Sequence, residues 1–308
     1  MADAPRILTR RQLLLAALAA AGGLALAQRK HSWLPASSAR SPNGATMADD
    51  TATIALGDPS ASYLGPKGPS IERKPVGIDF HKHNWPFDQL GTVRYAQGPY
   101  SFELPLVSSV MGTYTRDDPE RGIYAWSISA FPMAGETIPH AQARDKLFRF
   151  FASLLKAGWR RYINVSDPRL SGRQTMRYFF EDDSAYPLDP AYVPTLEEWM
   201  RLNEDLPYWQ FWADGSYMMV RVIDEPSLRN PARPGVYMFD INIESESANF
   251  QAYFTKVADM KRWKDLLPAE LHRLHQIRKA KEIELQQRRY VIDTSYGDPP
   301  ILALQRSA

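Results

Sequence analysis

Alternation of apolar and polar positions predicts several β-strands beyond residue 120. Aromatic and β-branched residues are interspersed over Gly122–Phe131, a composition typical of strands. Tyr208–Asp224 divides at Asp214 and Gly215 into two strand-like runs, and this residue pair favours the left-handed backbone of a tight hairpin turn. Gly235–Glu244 would add a third strand and complete a meander. Two shorter segments are also predicted to be strands: Arg160–Val165 and Met176–Phe180.

A different period, close to 3.6 residues, predicts a long helix after Pro139. A proline suits the first helical position, where its missing N–H costs nothing. Leu147, Phe151 and Leu154 recur at helical spacing, so they share one face that can pack on a core. Gly158 supplies a natural stop.

Two later regions are also predicted to be helical. Thr195 and Glu198 are three positions apart at the start of a short segment, which is the spacing of a capping box. Residues 248–289 have helical character near the C terminus. Pro268 is expected to divide them into two helices, because proline lacks an N–H donor and its ring clashes with the preceding turn.

The loose interleaving of strands and helices favours an α+β fold. We expect an antiparallel or mixed sheet that contains the meander, with helices packed on it. The globular domain is expected to span residues 76–308, as one body or as two small subdomains. Residues 28–75 are rich in Pro, Ser, Ala and Gly. They are expected to form a disordered linker, because such a composition buries too little apolar area to offset the entropy of ordering.

The first 27 residues have the layout of a bacterial export signal. Arg6, Arg10 and Arg11 precede the run Leu13–Ala27, which contains only apolar residues and glycine. Its last three residues, Ala25–Ala27, form a small-x-small site at which a signal peptidase could cleave.

The segment Thr9–Leu14, with Arg10 and Arg11 side by side, resembles the twin-arginine (Tat) signal. The resemblance implies export in a folded state and a periplasmic location. The apolar run has 15 residues, fewer than the ~20 that span a hydrocarbon core. We therefore expect a cleavable signal, and an uncleaved anchor that contacts the inner membrane is the alternative.

Composition and charge exclude several kinds of metal site, nucleophile and partner. The 308 residues include no cysteine, so thiolate zinc sites, iron–sulfur clusters and a cysteine nucleophile are excluded. Removal of residues 1–27 takes away three arginines and one aspartate, which leaves 34 basic and 34 acidic residues. A chain without net charge has no overall field to attract nucleic acid, so we expect no nucleic-acid partner.

One short segment is a candidate metal site. His81 and His83 are two positions apart, with Asp79 and Asp88 on either side. In a strand, such a pair shares a face, and two imidazoles could bind zinc or copper if a third ligand joined them. The simpler interpretation is a polar, half-exposed segment without metal. The available third ligands are His140, His272 and His275.

No catalytic residue can be assigned from motifs. The chain lacks G-x-S-x-G, the phosphate-loop pattern and G-x-G-x-x-G, so the hydrolase elbow and the nucleotide loops are missing. Acids that follow predicted strands could perform acid–base chemistry or hold Ca²⁺, although such acids more often end a strand in water. They are Glu181, Asp182, Asp183, Asp224, Glu225, Glu244 and Glu246.

The hairpin carries an unusual density of large rings, and these are the candidate binding residues. Alternation sends Trp209 and Phe211 to one face of the sheet and Tyr208 and Trp212 to the other. If one face is exposed, the rings form a binding platform of the kind that dominates interfaces. Otherwise the strands are buried on both faces. The set is Tyr208, Trp209, Phe211, Trp212 and Tyr217.

Two hypotheses from different classes follow. The first is a periplasmic, non-enzymatic binding protein without a cofactor. In compartment and architecture it resembles exported immunity proteins that neutralise type VI secretion effectors, and this resemblance implies a secreted effector toxin as the protein partner. The alternative is a Tat-exported hydrolase that depends on a metal or on carboxylates, with His81 and His83 or the strand-end acids in its site.

Overall fold

A computed structural model of the protein describes residues 46–58, 69–182 and 185–305. These residues form one mixed, open sheet of ten strands with helices packed on it, which confirms the predicted α+β class. The strands are β1 Thr46–Ile54, β2 Ser70–Arg73, β3 Ile78–Asn84, β4 Gln89–Tyr95, β5 Phe102–Thr115, β6 Ile123–Ala130, β7 Arg160–Arg161, β8 Tyr208–Ala213, β9 Ser216–Asp224 and β10 Tyr237–Ser245.

The order of the strands divides the sheet into two halves. The main path is β1-β4-β5-β6-β10-β9-β8-β7, and β3 pairs with β2 and with β5. The pair β1–β4 is parallel, and the other pairs are antiparallel. Strands β1–β6 precede residue 131, whereas β7–β10 follow residue 159. Among the described strands, the two halves therefore join at the single pair β6–β10.

The helices follow the first half of the sheet and lie before, between and after the strands of the second half. None of those in the described part of the chain is both long and apolar enough to cross a membrane. They are α1 His140–Lys156, α2 Arg173–Glu181, α3 Leu196–Leu202, α4 Glu246–Gln251, α5 Val257–Lys261, α6 Trp263–Gln287 and α7 Leu302–Gln305.

Helix α1 covers one face of the sheet and closes the main core. Leu147, Phe151 and Leu154 are fully buried, as their helical spacing predicts. The Phe151 ring centroid lies 5.2 Å from that of Trp209 and 5.1 Å from that of Phe211. At these distances the tilted rings attract one another and exclude water.

The predicted meander is confirmed. Asp214 and Gly215 both have positive φ, 43° and 76°, as a tight turn between twisted strands requires. β10 pairs antiparallel with β9 along its whole length.

The capping box is also present, since Thr195 Oγ1 accepts from the Glu198 N–H at 3.1 Å and Glu198 accepts from the Thr195 N–H at 2.9 Å.

Two predicted strands are wrong in whole or in part. Met176–Phe180 lies inside helix α2, where Met176 and Phe179 are three apart and both pack into the main core. Short apolar runs fit either period, so the sequence could not separate the two. Of Arg160–Val165, only the two residues of β7 pair as a strand.

Pro268 does not divide the C-terminal helices, because it lies within α6. It is the sixth residue of the helix, so the hydrogen bond that it cannot make is close to the N terminus. Trp263 and Leu267 are buried in a core cluster on either side of that turn. Packing of these side chains offsets the missing bond, as tertiary context commonly does.

The folded body begins earlier than residue 76. β1 and β2 both lie in the segment expected to be a linker, and Ala52 and Ile54 are fully buried. Alternation over the few residues of β1 is too short to stand out within a Pro- and Ser-rich stretch. The signal at residues 1–27, with Arg10 and Arg11, and the rest of the linker, 28–45 and 59–68, lie outside the described residues.

Candidate functional site

The predicted histidine pair lies on one face of β3, as alternation requires. His81 and His83 both face the main core, where the His81 ring lies 5.8 Å from Tyr114 and the His83 ring 4.3 Å from Trp85. Burial lowers the pKa of His81, because desolvation disfavours the imidazolium. The pair is therefore packed among aromatic rings.

The structure does not bring another histidine to this pair. His140 is buried, with its ring nitrogens 2.5 Å from the Tyr237 hydroxyl and 3.0 Å from the Asn230 carbonyl. His272 and His275 lie on the exposed side of α6. No group of three or more metal-binding side chains is present among the described residues. The zinc or copper site stays a prediction that no third ligand supports.

Two of the strand-end acids hold the fold together. Asp224 accepts two hydrogen bonds from the Arg229 guanidinium, at 2.6 and 2.7 Å. Glu246 accepts from the backbone N–H groups of Leu302 and Ala303 at 2.8 and 2.7 Å, and so caps α7. Acids that are already bonded in this way are poorly placed to take up a substrate proton.

The acids after Met176–Phe180 have similar roles at the C-terminal end of α2. Glu181 accepts from the Tyr290 hydroxyl at 2.7 Å, and Asp182 accepts from Arg288 at 2.7 Å. Asp183 lies outside the described residues. These contacts tie α2 to the end of α6, so they are structural.

The aromatic hairpin is buried on both faces, which is the second of the two alternatives that the sequence left open, and a binding role for its rings stays a prediction. Tyr208, Trp209, Phe211 and Tyr217 are all buried, and Trp212 is half-buried. α1 covers one face of the hairpin, and side chains from α4 and α6 cover the other near Tyr217. The covering helices come from segments far away in the sequence, so alternation alone could not reveal them.

A different part of the sheet is covered by none of the described helices. On the side opposite α1, strands β5, β6, β10 and β9 carry a continuous set of half-buried side chains, which we call the open face. Its methionines belong to none of the buried clusters in the described part of the chain. The open face comprises Ser109, Met111, Thr113, Ser127, Ser129, Met219, Arg221, Met238, Asp240, Asn242 and Glu244.

Strand register places these side chains in rows. Met111 is opposite Ser127, Ser127 is opposite Asn242, and Asn242 is opposite Met219. Directly opposed side chains on one face of an antiparallel sheet lie in contact range. The row therefore crosses four strands with two methionines at its ends and two small polar residues between them.

Hydrogen bonds join three polar residues of the open face. Ser127 Oγ and Asn242 Oδ1 are 2.6 Å apart, and Asn242 Nδ2 donates to Asp240 at 3.1 Å. Burial raises the pKa of Asp240, and Arg221 and Asn242 offset part of this effect. Side chains held in this way are ordered before any partner arrives, which lowers the entropic cost of binding.

At one corner of the open face, burial changes the pKa of an acidic side chain. Glu244 is opposite Ala125 on β6 and Tyr217 on β9, and no described residue donates a hydrogen bond to its carboxylate. Burial raises the pKa of Glu244 to about 7, and the nearby Arg121 offsets only part of the rise. The Arg121 guanidinium lies 4.1 Å above the Tyr124 ring. Glu244 is thus a carboxylate that changes charge near neutral pH.

Sequence reasoning named Glu244 only as one of several acids near strand ends. The alternation of Met238, Asp240, Asn242 and Glu244 with buried residues was the signal for the open face. That signal does not say whether a helix covers the face, and it does not give the register between strands.

Comparison with known proteins offers no assignment for this arrangement. No protein-family model matches the chain, and no curated protein or solved structure is significantly similar to it.

Proposed function

We propose that the protein is an exported, non-enzymatic binding protein that holds a protein partner on the open face of its sheet. The observation that carries the proposal is a sheet face that no described helix covers, with half-buried side chains, of which Ser127, Asn242 and Asp240 are joined by hydrogen bonds. The partner that fits best is a secreted antibacterial effector, which the protein would neutralise as an immunity protein.

The composition of the open face supports a protein partner. Interface cores are enriched in methionine and arginine and depleted of lysine, glutamate, aspartate and serine, so the methionines and Arg221 are the residues that support an interface. The open face has three methionines, one arginine, one glutamate, one aspartate and three serines, and Lys82 of β3 is opposite Met111 at its edge. Methionine side chains also adapt to the shape of a partner. A solvated sheet face would be expected to carry many more long charged side chains.

The N-terminal signal supports the compartment. Arg10 and Arg11 precede an apolar run, and a protein exported in a folded state would arrive with the open face already formed. After loss of residues 1–27 the chain is electrically neutral, so shape and local contacts would select the partner more than long-range attraction.

Site-specific photo-crosslinking in cells tests this proposal. A photoreactive amino acid at Met219 or Met238 is expected to yield a discrete adduct that mass spectrometry identifies, because these side chains would touch the partner. Lys279, exposed on α6, provides the matched control position. An Arg10→Lys/Arg11→Lys double variant should lose the adduct, because it would not reach the compartment of the partner. Absence of an adduct at both methionines, or equal adducts at Lys279, would exclude the open face as the binding surface.

One observation favours a second function. A carboxylate that titrates near pH 7 beside an arginine is a common feature of acid–base catalysis. Glu244 has this property, so a carboxylate-dependent enzyme of the hydrolase class is the alternative, with Glu244 as the proton-transfer group.

The titration of Glu244 gives a prediction that holds under either function. Because the folded state binds this proton more tightly than the unfolded state, Glu244 lowers stability as the pH rises through about 7. Glu244→Gln is therefore expected to raise the free energy of unfolding by about 1–3 kcal/mol at pH 8 and to change it little at pH 4. Urea denaturation at the two pH values measures this.

The exposed Glu120, in the turn just before Arg121, provides the control substitution. Glu120→Gln should leave the pH dependence of stability unchanged. If Glu244→Gln gives the same stability change at pH 4 and pH 8, the carboxylate does not titrate in this range.

A further inference from the structure

A small apolar pocket lies between the C-terminal helices and the last segment of the chain. Its volume is about 150 Å³, and none of its lining residues belongs to the open face. It is formed by α4, α6 and the segment before α7, which pack around the end of the sheet. Its walls are Tyr162, Val165, Phe250, Leu271, Pro299 and Ile301.

The volume of the pocket limits the size of the ligand that it can hold. An engineered apolar cavity of about 150 Å³ in another protein binds one benzene molecule. The pocket beside Phe250 has a similar volume but is partly open to solvent, so it has room for one six-membered ring, or for a small bicyclic ring that extends through the mouth.

The walls favour an aromatic ring over an aliphatic chain. The Phe250 ring is held on two sides, stacked at 6.0 Å on Trp263 and edge-on at 5.6 Å to Tyr217. Tyr162 adds a second aromatic wall. Rings gain from edge-to-face contacts beyond the burial of their area, and these walls are preorganised to provide them.

The mouth of the pocket provides a fixed hydrogen-bond acceptor. The Asp298 carboxylate accepts from His275 Nε2 at 3.0 Å and from two Arg278 nitrogens at 2.8 and 2.9 Å. A carboxylate has about four acceptor positions, so one is left for a ligand. Because Arg278 already balances the charge of Asp298, a neutral donor fits this mouth better than a cation.

We propose that this pocket binds a single aromatic ring that carries a neutral O–H or N–H donor, as in a phenol or an indole. The ring lies against Phe250 and Tyr162, and the donor bonds to Asp298. A free small compound and a tyrosine or tryptophan side chain offer the same chemistry.

Calorimetric titration of the full chain with indole and with p-cresol tests the proposal. Both are expected to bind at one site, and toluene, which lacks a donor, should bind about tenfold more weakly because one hydrogen bond is lost. Titration with N-acetyl-tryptophanamide identifies the source: binding as tight as that of indole indicates a side chain, and binding of indole alone indicates a free compound.

Two variants separate the pocket from other sites. Leu271→Trp should fill the pocket and abolish binding, while it keeps every hydrogen bond at the mouth. Asp298→Leu removes the acceptor and should therefore remove the preference for p-cresol over toluene. If neither indole nor p-cresol binds, or if both bind Leu271→Trp as tightly as the original protein, the proposal is wrong. This outcome would not affect the open face, which shares no residue with the pocket.

Discussion

Replacement of Trp209 by alanine is expected to lower the free energy of unfolding by about 3–5 kcal/mol. Trp209 is only 1% exposed, and its ring lies 5.8 Å from that of Phe148 and 5.2 Å from that of Phe151. Removal of the indole would leave a cavity between the sheet and α1 that this dense core cannot close. Urea denaturation followed by far-ultraviolet circular dichroism measures the loss.

The same experiment tests whether the hairpin rings are structural. Ile283, half-exposed on the outer side of α6, provides a control, and Ile283→Ala should change stability by no more than about 0.5 kcal/mol. If Trp209→Ala proved equally mild, the indole could not be buried as described, and the exposed platform would be the correct alternative for the hairpin.

Replacement of Arg278 by methionine is expected to have a comparable effect, about 3–5 kcal/mol. Arg278 is 6% exposed and donates to the backbone carbonyls of Asn164 and Asp167 and to the Asp298 carboxylate. It therefore joins α6, the loop after β7 and the C-terminal segment. Its loss leaves the Asn164 and Asp167 carbonyls without this donor and leaves Asp298 with His275 as its remaining described donor.

A comparison with its neighbour isolates this role. Lys279 follows Arg278 on α6 but is exposed, so Lys279→Met should leave the denaturation midpoint nearly unchanged. The double variant Arg278→Met/Asp298→Leu should recover part of the loss, because it also removes the carboxylate that has lost Arg278. Equal midpoints for Arg278→Met and the original protein would show that these hydrogen bonds contribute nothing.

The sequence correctly predicted the features of the fold that are determined by residues close together in the chain. The capping box at Thr195, the turn at Asp214 and Gly215, and the apolar face of α1 are each set by residues within a few positions of one another. The strand predicted at Met176–Phe180 was wrong because no local signal determines the structure of this segment. A five-residue apolar run fits a strand or a helix, and only the core that receives Met176 decides.

The candidate site could not be predicted to the same extent. Alternation correctly placed His81 and His83 on one face, but it could not show that no third ligand approaches. The open face depends on the pairing of β6 with β10, which is far from local. Glu244 could be named as an acid from the sequence, whereas its titration near neutral pH depends on the neighbours that this pairing provides.

Among the described strands, the two halves of the sheet join at one pair, β6–β10, and this has a consequence for synthesis. Ribosomes add about 5–20 residues per second, and β10 follows β6 by roughly 100 residues, so the free side of β6 waits on the order of 5–20 s for its neighbour. During that interval the nascent chain presents an unpaired strand edge, a template for association with other chains. A chaperone bound over Ile123–Ala130 would protect this edge. A transporter that accepts only folded proteins could act only after β10 had been synthesised and had paired with β6.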